Sequence, residues 1–403
     1  MDELLRVRMS GPLAPYAAGF AAELSRQGYT RSATQTQLRL LAHLSRWLGA
    51  QKLDAAALSG PVLERFLLAR RTAGYRLLRS PAALASMLRY LRGIKTVPVV
   101  AVVPGSGPAD AVALELFREY LLGERGLTVA TACGYIDLVA PFVAGRVRGG
   151  VLDLQGLAAS DVTGFMLAQT GRFSPKTMQR LASALRSLLG FWHLRGDLAV
   201  PLVGMVPKVA HRPAGLARGL TPGQVAAMLA SCRREHVGGL RDYAMLLLLS
   251  RLGLRCGEVA ALRLDDLDWR SGLMTIRGKG NRRDVLPMPV HVGQALADYL
   301  RSGRPATASG RSVFIRLKAP HQALTGTGVT QAVAAAAQRA GLGTIYGHRL
   351  RHSAATSMLA AGGSLAEIGQ VLRHRQPLTT AIYARVDVEA LRALARPWPG
   401  ARS

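Results

Sequence analysis

The spacing of apolar and polar positions divides the chain into helical stretches with one clear interruption. In the first half, Leu- and Ala-rich segments at helical spacing open on threonine or serine. Leu24, Gly28, Thr30 and Thr34 have counterparts in Leu122, Gly126, Thr128 and Thr131. Leu53-Asp54, Phe66 and Ser80-Pro81 are answered by Leu152-Asp153, Phe165 and Ser174-Pro175. The offset stays between 94 and 99 residues, which predicts a duplicated, all-helical module of about four or five helices. The alternative is a chance alignment of Leu/Ala-rich helices.

The second half changes character. Leu220–Ser231, Gly239–Leu252 and Arg255–Leu264 read as helices; Thr221-Pro222 supplies an N-cap with proline behind it, and Gly253 a C-terminal cap. Over Gly272–Met288 the period falls to two around Gly278-Lys279-Gly280, a β-hairpin pattern. Helical spacing returns from Thr327, and Ala384–Ser403 reads as a short amphipathic helix with Val386, Leu391 and Leu394 on one face. The expected fold class is mainly α, with a small β-sheet in the C-terminal domain.

Two segments cannot be regular helix. Val97–Pro108 holds three prolines and two glycines, and Pro207–Gly219 is basic and broken by proline and glycine. They predict three units, at 1–105, 110–207 and 215–403.

Charge sharpens this division. The chain carries 52 Lys+Arg against 24 Asp+Glu, a formal +28 over 403 residues. The net charge is +10 over residues 1–105, +2 over 106–210 and +16 over 211–403. Hydrophobic residues make up 49%, ample for a core, so the excess points to a polyanionic partner: nucleic acid first, an anionic membrane surface second. The longest apolar run, around Ala244–Ser250, is bounded by Arg241 and Arg251, far short of the ~20 residues a membrane span needs. The acidic Met1-Asp2-Glu3 start lacks a signal-peptide pattern. Cys133, Cys232 and Cys256 are too scattered for a disulfide framework or a zinc site. A soluble protein of a reducing cytoplasm is expected, and the Arg, Ala and Leu bias suits a GC-rich bacterial genome.

Four separated pieces of the last unit hold most of the reactive side chains: Arg255 with Glu258, Lys279, His348 to His352, and Leu372-Arg373-His374 followed by Tyr383. They are cations, imidazoles and a phenol, with no acidic cluster. Asp265, Asp266 and Asp268 lie close in sequence, but the loop before a hairpin is a common place for solvated aspartates, so no metal or other cofactor is expected. Arginine forks match phosphate oxygens and keep their charge, so two arginines and a histidine can clamp a phosphodiester while a tyrosine oxygen attacks it in line. The leaving oxygen needs a proton that arginine cannot give. Only six of the basic residues are lysines, and a lysine at the hairpin turn suits a general acid, although an incidental surface lysine would look the same.

Taken together, these pieces resemble the catalytic domain of the tyrosine recombinase (phage integrase) family. The similarity is dense from Tyr243 to Val386, through Gly253–Leu262, Gly278-Lys279-Gly280, His348–Leu359 and Val371–Val386. The resemblance implies that Arg255 and Arg351 grip the scissile phosphate, while His348 and His374 complete the clamp and shuttle protons. It implies that Lys279 protonates the departing 5′-oxygen and that Tyr383, nine residues after His374, forms a 3′-phosphotyrosyl bond. Glu258 would orient Arg255, and His352 would buttress. One departure stands out: Arg373 occupies the place where the family usually has glycine.

The middle unit resembles, more loosely, the family's helical core-binding domain, most recognisably over Gly123–Tyr135. Its small net charge requires clustered cations, for which Arg172, Lys176, Arg180 and Arg186 are candidates; Arg277, Arg282 and Arg283 are further DNA-binding candidates around the hairpin. The resemblance implies double-stranded DNA with a specific recombination site as partner. It further implies a homotetramer on two such sites (the tail helix docking on a neighbouring protomer or packing within its own), room for partner recombinases, integration or excision of a mobile element, and a nucleoid-associated bacterial location. The competing readings are a type IB topoisomerase-like enzyme and a non-catalytic DNA-binding factor derived from a recombinase.

Overall fold

The computed structural model describes residues 7–97, 108–210, 219–278, 282–308 and 310–373. Lys279, His374, Tyr383, the tail helix and most of both proposed linkers lie outside the described residues.

The first module contains α1 (Ala17–Arg26), α2 (Arg31–Ala50), α3 (Gly60–Thr72) and α4 (Pro81–Gly93). Gly28, at φ +83, reverses the chain after α1, and Thr30 caps α2 by accepting the Ala33 N–H on Oγ1. Prolines after Ser59 and Ser80 start α3 and α4. Leu38, Leu41 and Leu48 on α2 close over Phe20, Phe66 and Met87. Beside this core sits a buried arginine. Arg70 donates to His43 Nδ1 and to the Leu77 carbonyl (3.1 Å), and its guanidinium lies 4.2 Å from the centre of the Tyr75 ring.

The middle module has α5 (Ala109–Gly123), α6 (Val129–Ala144), α7 (Ala159–Ala168) and α8 (Pro175–Leu194). Its turns use the same chemistry: Gly126 at φ +58 precedes Thr128, whose Oγ1 accepts the Thr131 N–H, and Ser174 caps α8 ahead of Pro175. Leu181, Leu185, Leu188 and Trp192 form the inner stripe of α8 against Phe117, Val139 and Phe142. A feature without a sequence signal strong enough to be read is the two-residue ladder of β1 (Val147–Arg148) with β2 (Val151–Leu152). Gly149 and Gly150 turn it, both at positive φ, as the tightest hairpin connection requires.

The last module is built on α10. It runs α9 (Pro222–Ala230), α10 (Val237–Arg251) and α11 (Cys256–Ala261), then β3 (Leu267–Asp268), β4 (Leu273–Arg277) and β5 (Arg283–Pro287). There follow α12 (Val290–Asp298), α13 (Gly326–Arg339), α14 (Gly347–Ala360) and α15 (Leu365–Val371). Every residue of α10 from Ala244 to Ser250 is buried, and α9, α11, α12, α13 and α14 all pack against it. The sheet is antiparallel in the order β3-β4-β5, with Met274 opposite Leu286 and both facing the core. The helix expected over Arg255–Leu264 stops at Ala261. Leu262 is extended, its carbonyl accepts the Val313 N–H, and Leu264 donates to the Arg311 carbonyl. Tertiary pairing there outcompetes helix propagation.

By density of internal contacts the chain forms two compact units, Met1–Val99 with Ala214–Ser403, and Val100–Pro213. Inside the first unit, the Gln27 carbonyl accepts the His321 N–H (3.0 Å). A Cβ on Gly28 would overlap the His321 ring. Among the described residues no helix is long and apolar enough to cross a membrane.

Candidate functional site

The reversal after α10 sets the site. Gly253 adopts φ +59, and a Cβ there would overlap Leu372 Cδ2 and meet Arg351 Cγ at 3.8 Å, so the position demands glycine. Arg255 is the N-cap of α11 and Glu258 its third helical residue. Glu258 Oε2 accepts the Arg255 backbone N–H (2.8 Å), and Oε1 accepts from Arg255 Nη1 (2.6 Å). The Arg255 side chain is 49% exposed and that of Glu258 only 6%. A buried carboxylate thus holds Arg255 at its backbone N–H and at one end of its guanidinium, while the side chain stays half exposed. Burial by itself pushes the Glu258 carboxyl up. The Arg255 backbone N–H, the Arg373 charge and the Arg255 side chain outweigh it, and Glu258 lies below the ordinary carboxylate value.

Arg351, on α14, is buried and straps two segments together: Nη1 donates to the Gly253 carbonyl and Nη2 to the Leu372 carbonyl. One turn of α14 separates His348 from His352; their ring centres are 6.0 Å apart and nearly perpendicular, and Tyr346 stacks on His348. Burial lowers the His352 pKa, as do the charges of His348 and Arg351, which favours a neutral imidazole. The start of α14 lies against α11, because a Cβ on Gly347 would overlap Cys256 Sγ. Burial also raises the Cys256 thiol's pKa, so it stays protonated.

Arg373 follows the C-cap of α15 at φ +55, where helices commonly carry glycine. An L-residue with a side chain pays about 1–2 kcal/mol for that conformation. Its side chain makes a compensating contact: Nη2 lies 2.7 Å from Glu258 Oε2, and the two side chains are 7% and 6% exposed. Arg255, Glu258, His348, Arg351 and His352 therefore belong to one neighbourhood, together with the Leu372-Arg373 pair that leads into His374.

The hairpin and middle-module cations divide by environment. Arg282 and Arg283 are exposed at the hairpin end, whereas Arg277 pairs with Asp266 (2.7 Å). Of the neighbouring aspartates, Asp265 pairs with Arg311, and Asp268 accepts the N–H groups of Arg270 and Ser271. Among the described residues no three His, Cys, Asp or Glu side chains are grouped to hold a metal ion. In the middle module Arg118, Arg146, Arg148 and Arg195 each pair with a carboxylate. Lys176 and Arg180 are exposed four residues apart in the first turns of α8, and Arg172 is exposed in the turn before it. Arg180 lies across α6, with Nη2 2.6 Å from where a Cβ on Gly134 would stand. Arg186 is turned inward, donating to the carbonyls of Val206 and Pro207.

The Glu258–Arg373 contact is the site feature that sequence reasoning missed. Its signal was the arginine in a glycine position, but nothing in the sequence says which carboxylate, 115 residues away, it meets.

Residues 218–390 match the sequence profile of the phage integrase family. The Sinorhizobium fredii protein y4rA, provisionally named an integrase/recombinase, is 38% identical over 97% of this chain and 95% of its own. Tyrosine recombinase XerD of Listeria monocytogenes is 32% identical over 68% of this chain and 93% of its own. Two solved structures share the fold. One is XerH site-specific recombinase bound to a palindromic difH substrate (TM-score 0.55, 18% identity, 82% of this chain and 93% of that one). The other is a lambda integrase dimer bound to a COC′ core site (TM-score 0.54, 13% identity, 72% of this chain and 98% of that one). With relatives aligned along nearly its whole length, the chain belongs to the phage integrase, or tyrosine recombinase, family of site-specific recombinases.

Proposed function

We propose that this chain cuts and rejoins double-stranded DNA at a specific site, with Tyr383 as the nucleophile and without a metal or nucleotide. Tyr383 Oη attacks the scissile phosphorus and the bond to the 5′-oxygen breaks. Lys279 gives that oxygen a proton, leaving a 3′-phosphotyrosyl link and a free 5′-hydroxyl. Rejoining reverses each step with a new 5′-hydroxyl as attacker. Arg255 neutralises the non-bridging oxygens, where charge gathers in phosphoryl transfer, and the buried Arg351 adds its positive charge to the same site. His348 and His374 move the protons, and His352 buttresses.

The observation that carries this reading is the convergence of separate chain segments. The half-exposed Arg255 is held by Glu258, the Arg351 strap runs to Leu372, and that strand of chain continues into His374 and Tyr383. The cations and imidazoles gathered there fit phosphate better than they fit a metal ion. Arg172, Lys176 and Arg180 support a backbone-contacting role for residues 110–207, and the duplicated caps support a related origin for residues 1–105. Assembly as a homotetramer on two sites and service to a mobile element belong to the same reading.

A nicked suicide substrate carrying the cognate site tests it. The intact protein should form a covalent adduct in EDTA, and Tyr383→Phe should form none while still binding. Lys279→Ala should slow cleavage by about 100-fold, the usual scale for a lost general acid, and a 5′-thiol leaving group should restore most of that loss. No adduct from the intact protein overturns the proposal.

A further inference from the structure

Resting on that reading, we infer that Arg373 is a positioning residue for the cleavage step: it fastens Glu258 so that Arg255 is presented to the phosphate within a site that keeps a net positive charge.

Three observations converge. First, Glu258 Oε2 is shared between the Arg255 backbone N–H at 2.8 Å and Arg373 Nη2 at 2.7 Å, while Oε1 holds Arg255 Nη1. The carboxylate is therefore fixed from both sides, and its rotation cannot carry the Arg255 side chain away without breaking the Arg373 contact. Second, Arg373 is buried and Arg255 half exposed. The two cations are thus not interchangeable: only Arg255 stands where a phosphate can reach it. Third, Arg373 holds a left-handed conformation at a helix end where glycine is easier. Strain kept at such a position points to a use for the side chain.

Electrostatics supply the reason. Arg255 paired with Glu258 alone is a neutral couple, a weak partner for an anion. Adding Arg373 makes the trio net positive, while its burial leaves the outward donors to Arg255. The bond of Arg373 Nη1 to the Val371 carbonyl (3.1 Å) and the Arg351 strap on Leu372 hold the same stretch of backbone. The Arg373 side chain therefore leaves from a fixed point.

Single-turnover cleavage of the suicide substrate by the full chain tests this, with site affinity measured in parallel. Arg373→Gly, which removes both the charge and the strain, should cleave about tenfold more slowly and bind the uncut site within twofold of the intact protein. Arg373→Lys should recover part of the rate. Arg373→Met, similar in length and uncharged, should not. In a Glu258→Gln background, Arg373→Gly should change the rate by less than twofold. Intact-rate cleavage by Arg373→Gly, or an undiminished loss in the Glu258→Gln background, overturns the inference while leaving the recombinase reading standing. Melting temperatures read the pairing without cleavage. The shifts from Arg373→Gly and Glu258→Gln should fall short of additive when combined, and fully additive shifts overturn the inference even if the intact protein forms no adduct.

Discussion

At the scale of single residues, the site rests on what its glycine and arginines do to the backbone. Gly253 lets the chain turn at φ +59 directly under Leu372, and its carbonyl takes a donor from Arg351. Gly253→Ala combines left-handed strain with overlap in a filled space, so it should destabilise the protein by about 3 kcal/mol. A fall in the denaturant midpoint with an unchanged slope would register this, and a midpoint equal to that of the intact protein would refute it. Much of this level was legible in the sequence. The sequence marks Gly253 as a helix end and Arg255 and Glu258 as neighbours. The partners of Arg373, Arg277 and Arg186 were not legible, because each contact joins residues whose separation follows no period. Arg277 looks like a free cation until the fold brings Asp266 to it, and Arg186 until the carbonyls of Val206 and Pro207 arrive.

At the scale of elements, local chemistry and hydrophobic spacing agreed wherever a helix begins with a cap. Thr30 and Thr128, 98 residues apart in the sequence, perform the same act: each follows a glycine at positive φ and accepts the N–H three residues on. Thr30→Ala and Thr128→Ala should each cost about 1 kcal/mol locally. Hydrogen exchange in the first turn of α2 and of α6 should then quicken about fivefold, with Thr→Ser restoring protection; unchanged exchange would show that the caps are idle. The small pieces were less readable. The β1–β2 ladder is two residues long on each side, too short to set up an alternation. The end of α11 is decided by pairing with Arg311 and Val313, which no local pattern announces.

At the scale of the whole molecule, charge placement decides how the protein meets a polyanion. The middle unit carries little net charge, yet Arg172 just before α8 and Lys176 and Arg180 in its first turns are exposed, while Arg118, Arg146, Arg148 and Arg195 pair with carboxylates and Arg186 turns inward. Lys176→Ala and Arg180→Ala should each weaken DNA binding across all sequences and lower the slope of log affinity against log salt by about 1. Arg186→Ala should leave that slope alone. Equal slopes for all three variants would remove the patch from the interface.

Arg70 in the first module has a consequence of a different kind. It is 5% exposed and bound to a ring nitrogen, a carbonyl and the face of Tyr75. That leaves it a cation spent on holding the loop from Ala73 to Arg79. Ordering a residue's backbone takes about 1–2 kcal/mol. For this loop the ordering is completed when the module folds, so the exposed Arg71, Tyr75, Arg76, Leu77 and Arg79 form a surface set in advance of any encounter.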